Sequence, residues 1–462
     1  MNIMENGLKN ILIKNVSYYI DGNLNIHQNC DILIEQKTKI LKDEEINLKK
    51  NNLKESMADE SIANESNVNI TFGKSLIEKK NLNKSDIKII DGKRKCAIPG
   101  LYNAHTHIPM TLLRGISDDM ALNDWLNKKI WPNEAKLTKE DVYTGSLIGC
   151  LEMLRFGVTT FNEMYFFSEE IVTATKEVGL KAQVSYPIMD FGTPDEKNLD
   201  RLLNSAKKFV KNNINEKNIL PGIAPHAPYT CSEETYIECK EISIENNINL
   251  HTHVSETRYE VVELENKINM RPIDYLEKIG VLNEKLNAAH CVWITKDEAK
   301  KLSKNNVKIL HCPTSNMKLA SGGVMPAMEL LNNGANISLG TDGPASNNNL
   351  DIIREMKTAS LLHKSHRWDP TVLNIDTALK MGINSESIGF KNNDIVLLDL
   401  NSPHFIPINN IKSNIVYCAN GNDVDTVIVD GKILLENKTY KLREAFINTT
   451  YKKACKITEK FN

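Results

Sequence analysis

From Ile89 to Asp342 the chain repeats one unit: a short apolar run with a polar residue at its end, then an amphipathic stretch. No other feature limits the fold as tightly. Strand–helix units in series build a parallel sheet that their own helices cover. The runs end near His105 (CAIPGLYNAHTH), Glu163 (GVTTFNEM), Tyr186 (LKAQVSY), His226 (ILPGIAPH), His253 (INLHTH), His290 (LNAAH), His311 (VKILH) and Asp342 (ANISLGTD). Helices are predicted between them over 138–156, 168–179, 198–213 and 232–247. Eight such units in roughly 250 residues predict an α/β fold, a (β/α)8 TIM-type barrel over 95–380. Its site should lie at the C-terminal ends of the strands.

The two chain ends read differently. ILIKNVSYYI and DILIEQKTKI flank the turn Asp21-Gly22-Asn23, and short strands return after Leu379 in DIVLLDL and TVIVDGKILLENK. These predict a small composite β-sandwich domain made from residues 1–94 and 381–462, with a terminal helix. From Lys42 to Asp86 the chain is rich in Asn, Lys, Glu and Ser and poor in aromatics. That composition buries too little surface to offset ordering entropy, so a disordered insertion is expected at about 42–86.

Bulk properties remove several classes of partner. Across 462 residues the net charge is only −2, with no basic tail, which argues against nucleic acid and membrane surfaces. There is neither an 18-residue apolar run nor a signal-peptide core at the N-terminus. Nine cysteines, an odd number without C-x-x-C spacing, read as free thiols in a reducing compartment, so a cytoplasmic protein is expected. A homo-oligomer is compatible with all of this.

Chemistry concentrates at the strand ends. A lone histidine is more often a structural hydrogen-bonding group than a ligand, but a barrel converges its strand ends on one pocket. His105 and His107 are spaced i, i+2, so both imidazoles can reach one cation. His251 and His253 share that parity, and periodicity cannot choose between them. Glu256, three residues after His253, favours His253, because a carboxyl there could move a proton between water and a ring nitrogen. Asp342 stands beside Gly343, where a turn exposes the carboxylate. Three imidazoles and a carboxylate suit Zn2+, with Fe2+ the alternative, and leave a position for water. His290 could polarise that water. His226 is either a substrate donor or structural, and His311 is expected in the pocket wall. No H-E-x-x-H, phosphate loop or G-x-S-x-G elbow competes with this reading.

The segments PGLYNAHTHIPMTLLRG, APHAPYTCS, HTHVSET, AAHC, HCPTSNMKLASG and LGTDGPASNNNLD, in that order, resemble the amidohydrolase superfamily. More narrowly they are similar to its 5-methylthioadenosine/S-adenosylhomocysteine deaminases. The resemblance spans roughly residues 90–440. It implies His105, His107, His253 and Asp342 as ligands of one metal. It also implies Glu256 as the acid that protonates the ring nitrogen, and His290 and Asp342 as partners of the attacking water. Glu134 and His226 would contact the ribose hydroxyls, and Ser346 would line the pocket with Glu256 and Asp342. The implied reaction is hydrolytic deamination of a 5′-modified adenosine, a small-molecule nucleoside substrate, to the inosine analogue and ammonia. Hydrolysis of another amino- or chloro-substituted heterocycle (guanine, cytosine or triazine type) is the alternative within enzymes. A catalytically inactive relative is the alternative outside them.

Two departures from the family carry expectations. Tyr186 stands where such enzymes often have an Arg facing the homocysteine carboxylate. KMGINSESIGFKNNDIVLLDL is short, which predicts weaker packing of the last barrel helix on the β-domain.

Overall fold

The computed structural model describes residues 10–36, 68–80 and 86–461. The N-terminal strands are β1 (Asn10–Ile20), β2 (Ile26–Gln36), β3 (Val68–Gly73), β4 (Ile87–Asp91) and β5 (Lys95–Pro99). Eight barrel strands follow: β6 (Leu101–Thr106), β7 (Val158–Met164), β8 (Lys181–Ile188), β9 (Ile219–Pro225), β10 (Asn249–Val254), β11 (Leu286–His290), β12 (Lys308–His311) and β13 (Asn336–Leu339). The chain returns through β14 (Ile395–Asp399), β15 (Val424–Val429), β16 (Lys432–Glu436) and β17 (Thr439–Tyr440) to a terminal helix, Glu444–Thr458.

β6 to β13 pair in parallel in chain order. The ring is drawn shut where Asp342 N–H donates to His105 O at 2.9 Å. Gly340 permits that approach, because a Cβ on it would meet the backbone and Cβ of His105 at 2.8–2.9 Å. Helices Lys139–Arg155, Ser168–Val178, Leu199–Asn213 and Glu233–Asn246 cover the outside, matching the expected ranges to within a residue or two. Several start at a side chain that accepts the third amide of its helix, as Thr138, Asn198 and Ser232 do.

Period-2 alternation decides what each strand shows to the barrel interior. Along β8, Ala182, Val184, Tyr186 and Ile188 join the cluster packed under the helices. The intervening Gln183 and Ser185 hydrogen-bond to each other, and Pro187 lines the central cavity. Tyr102, Ala104, Ala289 and Leu310 fill the interior below the strand ends with Ile388 and Phe390.

The two halves of the expected sandwich are one hydrogen-bonded sheet in the order β17-β16-β15-β14-β5-β1-β2-β3, with β4 also on β1. It curls about a shared core of residues such as Ile13, Val16, Ile32, Ile90, Leu397 and Ile428. The disordered insertion expected at about 42–86 does not hold for residues 68–80. Val68–Gly73 pairs antiparallel with β2 from Gln36↔Val68 to Asp31↔Gly73, and Leu76–Lys79 is helical. Cross-strand partners recruit this polar stretch into the sheet, a contact that composition does not register. Residues 37–67 and 81–85, where the rest of that expectation falls, lie outside the described residues.

The short segment before β14 is tied into the junction by hydrogen bonds and an ion pair. Asn392 donates to Gly100 O and Ile383 O, and Lys181 Nζ pairs with Asp394 at 2.8 Å and Asp430 at 2.9 Å. Among the described residues no helix is long and apolar enough to cross a membrane.

Candidate active site

The structure gathers His105, His107, His253 and Asp342 from β6, β10 and the turn after β13. His107 Nε2 lies 3.3 Å from Asp342 Oδ1 and 3.4 Å from His253 Nε2, and His105 Nε2 lies 3.4 Å from Asp342 Oδ1. A tetrahedral cation with bonds of about 2.0–2.1 Å would hold its ligand atoms roughly 3.3–3.4 Å apart. The outward nitrogens are already engaged. His107 Nδ1 donates to Met164 O at 2.6 Å and His253 Nδ1 to His226 O at 3.0 Å, which leaves both Nε2 lone pairs facing inward. His105 Nε2 is fully buried and has no hydrogen-bond partner. Burial pushes His105 down to about 4 and His253 well below the usual range, so both are neutral at neutral pH. Buried neutral imidazoles around a carboxylate suit one divalent cation.

Asp342 is a carboxylate. Desolvation opposes its charge, but His105 and His107 outweigh it and hold the group well below the usual range. Its Oδ2 accepts from Ser315 Oγ at 2.6 Å and from Ser346 Oγ at 2.9 Å, so Oδ1 is the oxygen turned to the histidines.

The cluster forms the floor of a cavity with Glu134, His226, Glu256, His290 and Ser346 in its walls. His290 Nε2 and Glu256 Oε2 are 3.7 Å apart. Burial, with the charge of Asp342 second, pushes Glu256 up to about 8, so its carboxyl keeps a proton at neutral pH. Tyr165 Oη donates to Glu134 at 2.7 Å, and burial raises Glu134 to about 7. His226 Nδ1 bonds Thr230 Oγ1 at 2.9 Å, which turns its Nε2 to the cavity. The remaining wall is apolar: Met110, Leu122, Trp125, Leu126, Ile130, Trp131, Phe166, Met189 and Leu319 among others. No Lys or Arg lines it among the described residues.

Such a site sits at the strand ends of a barrel matched by the family model described as "Amidohydrolase family" over residues 96–434. The chain belongs to the amidohydrolase family. A 5′-deoxyadenosine deaminase of Methanothermobacter thermautotrophicus is 45% identical to this amidohydrolase over 77% of its chain and 86% of the relative. A 5-methylthioadenosine/S-adenosylhomocysteine deaminase of Dictyoglomus thermophilum is 42% identical over 80% and 88%. Among solved structures, an adenosine deaminase from Xanthomonas campestris with bound zinc superposes with a TM-score of 0.86 at 28% identity, covering 98% of both chains. An atrazine chlorohydrolase from Arthrobacter aurescens, with a TM-score of 0.81 at 19% identity over 97% and 100% of the chains, shares the fold.

Two sequence expectations about this amidohydrolase are corrected. Tyr186 does not face the cavity. It lies on the outer parity of β8 against Phe209, ring centroids 5.6 Å apart, and Pro187 and Met189 occupy the wall. His311 is not pocket wall either. Leu310 takes the inward position on β12, so His311 points outward and meets His363 Nε2 at 3.1 Å.

Three supporting residues of this amidohydrolase escape a sequence reading, and a fourth, His251, takes a supporting place where periodicity left it level with His253. His251 bonds His105 Nδ1 at 2.9 Å, and Ser315 and Tyr165 hold Asp342 and Glu134. Asn316 Nδ2 lies 3.1 Å from His290 Nδ1. Ser315 and Asn316 sit inside HCPTSNMKLASG, so the signal was a motif beside a strand end that carried no ligand.

Proposed function

We propose that this amidohydrolase deaminates adenosines whose 5′ substituent is small and uncharged, 5-methylthioadenosine and 5′-deoxyadenosine ahead of S-adenosylhomocysteine. The carrying observation is the cavity wall beyond its polar residues, which is mostly apolar and, among the described residues, has no Lys or Arg. A methylthio or methyl group loses little on entering such a wall. An amino-acid carboxylate and ammonium would be desolvated with no charge to meet the carboxylate.

His105, His107, His253 and Asp342 are the residues we assign to the metal, read as Zn2+ with Fe2+ the alternative. When bound, a divalent cation supplies hydroxide at neutral pH by acidifying a water. Asp342 accepts the proton of that water, and Ser315 and Ser346 keep its second oxygen occupied. His290 faces the same spot from β11 and orients the nucleophile toward C6 of the purine. Glu256, protonated at neutral pH, gives its proton to N1. C6 then becomes tetrahedral; Asp342 passes its proton to the amino group, which leaves as ammonia, and the C6 hydroxyl proton returns to Glu256, so the inosine analogue remains and both carboxyl groups are restored. Glu134 and His226 take the ribose hydroxyls, and Ser346 completes the wall.

Ammonia release followed with 5-methylthioadenosine, 5′-deoxyadenosine, S-adenosylhomocysteine, adenosine and adenine tests this reading. The first two should give the highest kcat/KM, and S-adenosylhomocysteine should fall at least about tenfold below them, the cost of roughly 1.4 kcal/mol. Adenine should be very poor, because buried groups meant for the hydroxyls are left unpaired. A clear preference for S-adenosylhomocysteine overturns the 5′ assignment, and fast turnover of adenine overturns the nucleoside assignment. Metal analysis of the purified protein identifies the cation.

A further inference from the structure

Glu260 is the third residue of the helix Arg258–Ile268, whose N-cap is Thr257. At that position an acidic side chain ordinarily reaches back to the N–H of the N-cap residue itself. Two α-helices do so among the described residues: Thr138 N–H donates to Asp141 at 2.8 Å, and Thr295 N–H to Glu298 at 2.7 Å. Glu260 behaves differently. Its own N–H donates to Thr257 Oγ1 at 3.2 Å as expected, but its carboxylate passes over Thr257. Oε1 accepts the N–H of Ser255 at 2.7 Å, and Oε2 accepts that of Glu256 at 2.8 Å.

Those two amides belong to the turn that carries the chain from β10 into the cavity wall. Ser255 stands there at φ 53°, a left-handed conformation that costs a serine on the order of 1 kcal/mol. The opposite side of the turn is tied to β11 by Cys291 N–H on Val254 O at 3.1 Å and Trp293 N–H on Ser255 O at 2.8 Å. Glu260 is buried and does not line the cavity, so it cannot meet a substrate. Buried carboxylates are costly unless fully hydrogen-bonded, and this one is spent on the two amides that set the direction of Glu256.

We propose that Glu260 is a positioning residue: by clamping the Ser255 and Glu256 amides it aims the Glu256 carboxyl into the cavity. This rests on the reading of Glu256 as the proton donor. If Glu260 only stabilised the helix end, its loss would lower stability and leave the chemistry of folded, metal-loaded enzyme unchanged.

A double-mutant cycle on the full chain separates these roles. Glu256→Gln, Glu260→Gln and the double variant are compared for metal content, melting temperature, kcat and KM with 5-methylthioadenosine. In Glu260→Gln one oxygen becomes an amide nitrogen that faces an N–H, so the clamp is half lost. We expect metal content to be kept, KM to stay within about twofold, and kcat to fall about tenfold to a hundredfold. The double variant should be no slower than Glu256→Gln, because a residue acting only through Glu256 has nothing left to act on. Full kcat in Glu260→Gln, or a further tenfold loss in the double variant, overturns the proposal. Should Glu260→Gln not fold, Glu260→Asp, which keeps both oxygens on a shorter arm, replaces it in the cycle. Loss of fold in both makes the clamp structural and also overturns it. The proton-donor reading fails separately, if Glu256→Gln itself turns over at the native rate.

Discussion

His251 and His253 leave β10 on the same side, yet only His253 reaches the cavity, and His251 stops at His105 behind it. Their roles should therefore separate on measurement. His253→Ala should lose metal affinity and turnover together, since three ligands hold a cation poorly. His251→Ala removes only an orienting partner and should weaken the metal by about 10–100-fold. Competition against a chromophoric chelator reads both, and the reverse ranking would reassign the ligand. Glu256 supplies a second prediction. A proton donor raised to about 8 is in its working form at neutral pH and loses its proton as the pH climbs. A dication opposes the charge of Asp342, so the alkaline limb of kcat should lie at or below about pH 8 and vanish in Glu256→Gln. His290 and Asp342, at φ 73° and 60°, show where strand parity stops being informative. Ala289 faces the interior, so simple alternation sends His290 outward, and the left-handed backbone turns it back.

At the scale of elements, β8 joins the barrel to the sheet from the chain ends through its first residue. Lys181 is buried between Asp394 and Asp430, and Lys217 also reaches Asp430 at 3.1 Å. Lys181→Met leaves buried Asp394 without a cation, and Asp430 with only the more exposed Lys217, and should cost about 3–5 kcal/mol of unfolding free energy. Urea denaturation measures it, and a change under 1 kcal/mol would show that water already relieves the pair. The pH dependence has a definite sign. Desolvation works against both charges, yet Lys181 is raised by Asp394 and Asp430, and Asp430 is lowered by Lys181 and Lys217. A raised lysine stabilises below its unfolded value of about 10.4 and loses that as the pH passes its folded value. A lowered aspartate stabilises above about 3.9 and loses that as the pH falls through its folded value. The contact should thus be strongest between about pH 4 and pH 10. Strand and helix positions were legible at this scale, because apolar periodicity records which face is buried. β3 was not, since only pairing with β2 makes a strand of VNITFG.

For the whole molecule, one cation would join β6 and the turn after β13, neighbours at the seam of the ring, to β10 on its far side. Metal binding should accordingly be visible as stability. At a free metal concentration of 100 times Kd the folded state gains about 2.7 kcal/mol. Chelation should lower the calorimetric melting temperature and abolish turnover, and added Zn2+ should restore both. An unchanged melting temperature on proven metal loss would mean the barrel mouth holds its shape alone. What the sequence determined by itself was local or periodic: eight strand ends, their helices, the H-x-H pair, and the motifs that carry the family. What only the tertiary structure decided was direction. Tyr186 and His311 belong to recognisable strand ends and face the helices, whereas His251 and Glu260 look like ordinary fillers and stand behind site residues. A side chain's direction follows from bulges, left-handed residues and neighbours distant in the chain, and none of these leaves a period in the sequence.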